Sequence, residues 1–444
     1  MDRDGLAVVP EATAGPAGPA GSEGSAGTGA AGSAASGARR RGAFRALRST
    51  PFRWYFAGQI ASASGTFVQQ TAVAWLVLQL TGSAASLGLV LAVGGIPSLL
   101  LGPFGGGLAD RFDLRRLLIV TQATYGLLAA ALWLLAANGA AGVPVVIGIT
   151  VAGALVGVVD SPARQAFVSA LVPPDDLASA VSLNGVVMNS ARVVGPALAG
   201  VLIAAIGTTP CFAVNAVSYL AVLVALVFVR PLSAGVVRSG GGGLRDALRY
   251  ARGREQLWVP LTMMAIVGLL AFNFGVVLPV LAKETFDGSG GTYGAMSTVL
   301  SVGSVLGSLG VGLIRHPRRP YLVGAALAFG LALAATAAAP TPAVAYVTLF
   351  LTGAAGFTFV TLASTTLQLH SSPAYRGRIM ALWVFVYLGT TPIGSAVTGW
   401  VLDLGGPRAG LLVGAVACVV AAGLASRVRT PAHPDALLTD LPAR

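Results

Sequence analysis

From residue 50 onward the sequence is a succession of apolar stretches of roughly 18–25 residues, each long enough to carry a helix across about 30 Å of hydrocarbon. No other feature narrows the possible folds so far. Within a bilayer every backbone N–H and C=O has to be paired inside the protein, which leaves only helices and closed barrels. The stretches have neither the ~10-residue length nor the alternating polarity of barrel strands, so they predict helices. Their limits read as 54–80, 86–108, 116–137, 143–163, 180–206, 210–229, 258–282, 293–314, 321–339, 343–367, 379–402 and 409–426. Hydrophobic residues make up 55% of the chain, and a mean hydropathy of +0.79 lies outside the soluble range. The expected fold class is an all-α membrane protein: twelve transmembrane helices in two six-helix halves with pseudo-two-fold symmetry.

A net charge of +12 could suggest a nucleic-acid partner, but the placement of the charge argues otherwise. Of the 28 lysines and arginines, all but Lys283, Arg408 and Arg192 fall before the first span or in the connections and tail on its side of the membrane. This asymmetry predicts an even number of spans with both termini cytoplasmic, a lipid bilayer as the surroundings, and no nucleic acid. Arginine outnumbers lysine 27 to 1 in an alanine- and glycine-rich chain, which fits a GC-rich bacterial genome and hence a bacterial cytoplasmic membrane.

Residues 1–45 are almost wholly Gly, Ala, Ser and Pro and cannot bury a core; they read as a disordered cytoplasmic tail without a signal peptide. The N-terminal half is expected over 46–230, a cytoplasmic linker over 231–257, the C-terminal half over 258–428 and a second tail over 429–444. The linker's Gly240–Gly243 run reads as a hinge. After it, Leu244, Ala247, Leu248 and Ala251 recur at helical spacing, which suits either a helix on an anionic leaflet or a solvated linker helix. The halves echo each other. "GGGLADRFDLRR" closes the second span and "GVGLIRHPRRP" the eighth, while "GPALAG" (195–200) in the fifth corresponds to "TPIGSAVTG" (391–399) in the eleventh.

Enzymatic chemistry is not expected. The only lysine, Lys283, follows Ala282 and belongs to no phosphate-binding loop, and no nucleophile elbow, HExxH or dinucleotide fingerprint occurs. Cys211 and Cys418 read as packing residues, and His316, His370 and His433 are scattered without ligand spacing, so neither metal nor cofactor is expected.

A small residue, Asp110-Arg111 and further arginines in the tight connection after the second span resemble the loop signature of the major facilitator superfamily. Four further segments, "DSPARQAFVSALVP" (160–173), "NSARVVGPALAG" (189–200), "CFAVNAVSYLAV" (211–222) and "RGRIMALWVFVYLGTTPIGS" (376–395), are similar to its enterobactin-exporter-like (transmembrane secretion effector type) drug:proton antiporter branch. The resemblance implies that Asp110 caps a helix N-terminus of the opposite half, that of the eleventh span, when the cytoplasmic side is closed. It also implies an arginine four residues later reaching an acid at the inner end of the fourth span. That position is Leu114 here, leaving Arg111 or Arg115 to serve, with Asp160 as the acid. Gly195, Pro196 and Gly200 resemble the fifth-span antiporter motif.

Asp160 and Arg192 are the ionisable residues read inside spans, and such charges are functional candidates by default. Three readings stand for Asp160: a structural pair with Arg192, a gate with the loop arginines, or a proton carrier. Cavity candidates are Gln59, Gln69 and Gln70 on the first span, Asn189 on the fifth, Asn273 on the seventh, and Trp383 and Tyr387 on the eleventh; each suits an interhelical hydrogen bond equally well. The expected function is export of a hydrophobic or amphipathic small molecule by a monomer, through alternating access and against proton entry. Nutrient uptake, or a non-transporting sensor or scaffold with the same fold, are the alternatives.

Overall fold

A computed structural model describes residues 44–109, 111–229, 244–312, 314 and 317–427. Asp110, His316, His433, the Gly240–Gly243 run and nearly all of both expected tails lie outside these residues.

The first six spans are Thr50–Thr81, Ala84–Ala109, Leu114–Ala137, Val143–Ala170, Leu177–Ile206 and Thr209–Phe228. The seventh runs over Glu255–Leu270, breaks, and continues through Phe274–Val280 into a π turn at Leu281–Thr285. The eighth to tenth are Gly290–Val311, Arg319–Ala337 and Pro342–His370. Pro373–Arg427 is one helical stretch broken at Gly406, whose φ of 75° suits glycine, and it supplies the eleventh and twelfth spans. Among the described residues, ten helical stretches are long and apolar enough to cross a bilayer. The broken stretch counts twice, and the first span, made less apolar by Gln59, Gln69 and Gln70, completes twelve.

Local chemistry sets the helix ends. Ser49 accepts from the amide of Phe52, with Pro51 in the first turn, and Gly82 stops the first span at φ 65°. Asp113 caps the third span by accepting from the Arg116 amide at 2.8 Å. Arg115 donates to the carbonyls of Leu226 (2.7 Å) and Val227 (2.5 Å), satisfying the end of the sixth span and tying it to the third.

In the first half, the first span packs on the fifth and sixth, the second on the fourth, and the third on the fourth and sixth. The second half repeats this six spans on: the seventh packs on the eleventh and twelfth, the eighth on the tenth, the ninth on the tenth and twelfth. Two seams join the halves, the second span against the eleventh and the fifth against the eighth. Lipid offers no hydrophobic drive for helix association, so these contacts depend on close approach of small residues. A Cβ on Gly294 would lie 2.4 Å from Gly200 Cα, and one on Gly399 would lie 2.5 Å from the Ala84 carbonyl oxygen.

The linker helix, Leu244–Arg252, docks on protein. Ala247 and Ala251 are buried, Tyr250 stacks on Tyr375 at 4.0 Å, and its hydroxyl donates to Ser372 Oγ at 3.1 Å. Its small apolar face thus covers the connection between the tenth and eleventh spans.

Inside the second half, Gly353 of the tenth span lies so close to the eighth that an added Cβ would come within 2.0 Å of the Leu300 carbonyl oxygen, whereas Gly324 of the ninth meets nothing within 4 Å. Gly353→Val is expected to lower the melting temperature of the detergent-purified protein by several degrees and Gly324→Val to leave it unchanged, as read by a fluorescence thermal-shift assay.

Candidate functional site

The face at which the first span begins is called here the near face, and the other the far face. At the far face the halves are locked together. Asp403, at the end of the eleventh span, accepts from Ser83 Oγ at 2.8 Å and from the amides of Ala84 (2.7 Å) and Ala85 (3.2 Å), capping the second span across the seam. A carboxylate there satisfies orphan N–H groups and the positive helix end, an effect of about 0.5–2 kcal/mol. Lys283 Nζ reaches from the seventh span to the Leu78 carbonyl in the last turn of the first, at 3.1 Å. Trp75 stacks on Tyr293 of the eighth span at 6.1 Å, both rings buried. Toward the near face the seams part. On the second span an added Cβ would lie 2.4 Å from Ser395 at Gly88 and 2.4 Å from Pro392 at Gly95, whereas at Gly102, on the same helix face, it would meet nothing within 4 Å. On the fifth span Gly200 is seated on Gly294, whereas Gly185 meets nothing within 4 Å.

Between the halves lies a cavity of about 410 Å³, within the range of small-molecule sites. Phe67, Leu91, Leu128 and Leu132 supply an apolar lining, and Gln69, Gln70, Tyr125, Asn215 and Tyr219 the polar groups. Gln69 Oε1 accepts from Asn215 Nδ2 at 2.8 Å, so this glutamine is both wall and interhelical bond. Gln70 is exposed into the cavity. Tyr219 stacks on Tyr125 at 5.7 Å, and its hydroxyl lies 3.1 Å from Thr66 Oγ1.

One turn before Pro196, which lines the cavity, Arg192 stands between the halves. Its guanidinium carbon is 6.0 Å from the ring centre of Phe67 on the first span and 5.4 Å from that of Phe357 on the tenth. Phe272 meets both Phe357 and Tyr387 edge-on. Tyr387 stacks on the buried Trp383 and lies within electrostatic reach of Arg192. No carboxylate among the described residues lies within ion-pair distance of Arg192. Two cation–π contacts of about 0.5–2 kcal/mol each compare with about 2.5–3.5 kcal/mol for an arginine at a helix centre in the membrane. Together the rings, at about 1–4 kcal/mol, are comparable with that cost, but they leave the guanidinium's N–H groups without an oxygen acceptor among the described residues.

The fifth-span motif shapes this site. Gly195 leaves room for Phe67, whose Cβ would be 2.3 Å from an added Cβ, and Gly200 seats Gly294 at the seam. Asn189, one turn nearer the near face than Arg192, is exposed.

Other sequence-predicted residues sit elsewhere. Asp160 does not pair with Arg192. It is 3% exposed and bonded to Arg164, one turn on, with Thr121 Oγ1 and Gln122 Nε2 both donating to Oδ1 at 2.7 Å. The fourth span continues through Pro162 to Ala170, past its expected end at 163, so Arg164 shares a helix face with Asp160 at i, i+4. Arg111 is exposed and Arg115 is occupied at the sixth span, so neither loop arginine is bound to Asp160. Gln59 is 1% exposed, with neither amide atom hydrogen-bonded, and is packed away from the cavity. Asn273 is buried at the break of the seventh span, where its Nδ2 donates to the Leu269 carbonyl at 2.7 Å.

Sequence reasoning missed Asp403, Arg164 and the tyrosines that line the cavity, Tyr125, Tyr219 and Tyr293. One signal was available for Asp403. "DRFDLR" (110–115) and "DLGGPR" (403–408) share an aspartate and an arginine at the same spacing, and Arg408 donates to the Ala339 carbonyl at the end of the ninth span much as Arg115 does to the sixth.

Twelve helices in two similar halves around a central cavity define a major facilitator transporter. Solved structures agree in fold: the chain superposes on a bacterial homologue of the human lysosomal transporter Spinster with a TM-score of 0.71 at 16% identity, covering 85% of this chain and 97% of that one. It also superposes on the nucleoside transporter NupG at 0.66 and 13%, covering 85% and 98%. Residues 41–440 match the transmembrane secretion effector family, to which the chain belongs; it is a secondary transporter of small molecules and not an enzyme. It is 28% identical to the staphyloferrin A transporter of Staphylococcus aureus over 58% of this chain, a match spanning 66% of that relative's length. It is 26% identical to the multidrug efflux pump Tap of Mycobacterium tuberculosis over 84% of this chain and 91% of the relative.

Asp160→Asn leaves the partly buried Arg164 without its counter-charge, a loss of up to about 3–5 kcal/mol. The variant is expected to accumulate poorly and melt early in detergent, and Asp160→Asn with Arg164→Gln to recover part of the difference.

Proposed function

We propose that this protein exports a hydrophobic or amphipathic small molecule from the bacterial cytoplasm by alternating access, acting as a monomer in the cytoplasmic membrane. The observation that carries the reading is the central cavity, locked at the far face and parted at the near face. The near face is cytoplasmic in this proposal because it bears nearly all the arginines of the connections, whereas the far face carries Lys283 and Arg408. The conformation is then inward-facing, ready to load from the cytoplasm. Release outside requires the far-face contacts of Asp403, Lys283 and the Trp75–Tyr293 stack to break while the near face closes. Closure there would engage Asp110 on the N-terminus of the eleventh span.

The export direction is supported by the family match and by the efflux named for the mycobacterial relatives. Coupling of export to proton entry is the finer part of the proposal.

Vesicles that hold the purified protein and a pH dye test both parts. Compounds from a panel of amphipathic anions, neutral molecules and cations are expected to be carried, with at least one dissipating an imposed pH gradient. Carriage without any pH response would overturn proton antiport alone; no carriage of any compound would overturn the export reading.

Asp403→Ala is expected to loosen the far face. A cysteine introduced at Ser297 in the cavity should then react faster with an impermeant maleimide added from outside than in the same background with Asp403 intact.

A further inference from the structure

We propose that the transported molecule is an organic anion, a carboxylate or comparable planar oxyanion on an apolar body, with its charge held by Arg192 and its body in the adjoining cavity. The inference rests on the reading of that cavity as the substrate site.

The treatment of positive charge elsewhere in the bundle sets Arg192 apart. Arg164 is paired with Asp160 and Arg319 with Glu255. Arg115, Lys283 and Arg408 donate to carbonyls at helix ends. Arg192 alone among these cations has no oxygen acceptor within the protein's described residues, only the ring faces of Phe67 and Phe357. The described acids lie elsewhere. Asp160 is occupied, Glu284, Asp287 and Asp403 belong to the far face, and Asp113, Asp175, Asp176, Asp246 and Glu255 to the near face. A guanidinium carries five N–H donors in a fork that matches a carboxylate, and ring faces do not satisfy that fork.

The apolar part of the proposed ligand has its place too. Phe67 flanks Arg192 and also lines the cavity, as does Pro196 one turn along the same helix. A molecule lying in the cavity with its charged end toward the near face would set an oxyanion on the guanidinium and its body among Phe67, Leu91, Leu128 and Leu132. Gln70 and Tyr125 stand ready for its polar substituents. An ammonium group in the same position would meet a like charge with no acid among the described residues to offset it.

Three compounds with one aromatic body separate the possibilities: 2-naphthoate, 2-naphthamide and 2-naphthylmethylammonium. Binding to the full-length detergent-purified protein is measured by calorimetry, which needs no transport. Naphthoate is expected to bind about ten- to a hundredfold more tightly than either of the others, the usual worth of a charge-assisted hydrogen-bonded pair. Arg192→Gln should abolish that preference while leaving naphthamide binding intact, and Arg192→Lys should retain part of it. The ranking on the unaltered protein decides the matter even if Arg192→Gln is unstable. Equal affinity for the three, preference for the ammonium, no binding of any, or an anion preference that survives Arg192→Gln would overturn the inference. A clear anion ranking together with vesicles that carry nothing would overturn only the export reading, and carriage with a cation ranking only this one.

Discussion

Lipid tails are as apolar as leucine, so two helices in a bilayer gain little by hiding leucines from each other, and what remains is close packing and polar contact. The 59 glycines of this chain make such packing possible. Within each half, helices meet along their lengths, as where Gly303 and Gly353 bring the eighth and tenth spans to backbone contact. Between the halves, contact is concentrated at the far-face ends of two seams, around Gly200 with Gly294 and Gly88 with Gly399. Two firm bodies joined at a few close points can rock without unpacking, which is what alternating access requires.

The same scarcity of solvation governs the polar groups. Asp160 and Arg164 are held inside one half by each other and by Thr121 and Gln122, so they brace the third and fourth spans instead of crossing the seam. The cross-seam polar contacts use helix ends. Asp403 on the second span and Lys283 on the first place charges where the backbone offers complementary partial charge, and both can be exchanged for water at an exposed end. That makes them suitable as latches. In the proposed cycle Asp110 would make the inverted counterpart of the Asp403 contact, on the eleventh span at the near face, and the two caps would alternate.

Much of the architecture was legible because the bilayer imposes a length on every span. The spans, their number and the echo between halves follow from runs of apolar residues and from where the arginines stop. The fourth span was cut short because Pro162 and Arg164 look like an end, while in the folded protein the helix runs on and Asp160 makes the arginine tolerable. The site was legible only in part. Gln69, Gln70 and Pro196 line the cavity and Arg192 stands beside it, but Gln59 and Asn273 turn into helix contacts. On a helix that is apolar all round, periodicity does not tell which side faces a cavity, so a lone amide looks the same in either place.

What the sequence determined by itself was the set of helices, their pairing into halves and the sidedness of charge, because these depend on chain length, hydrocarbon thickness and local composition. What only the tertiary structure decided was partnership: Arg164 for Asp160, the second span's N-terminus for Asp403, and aromatic rings in place of an acid for Arg192. Partners separated by up to 320 residues are set by how helices cross in three dimensions, and a one-dimensional pattern of apolar runs carries no record of those crossings.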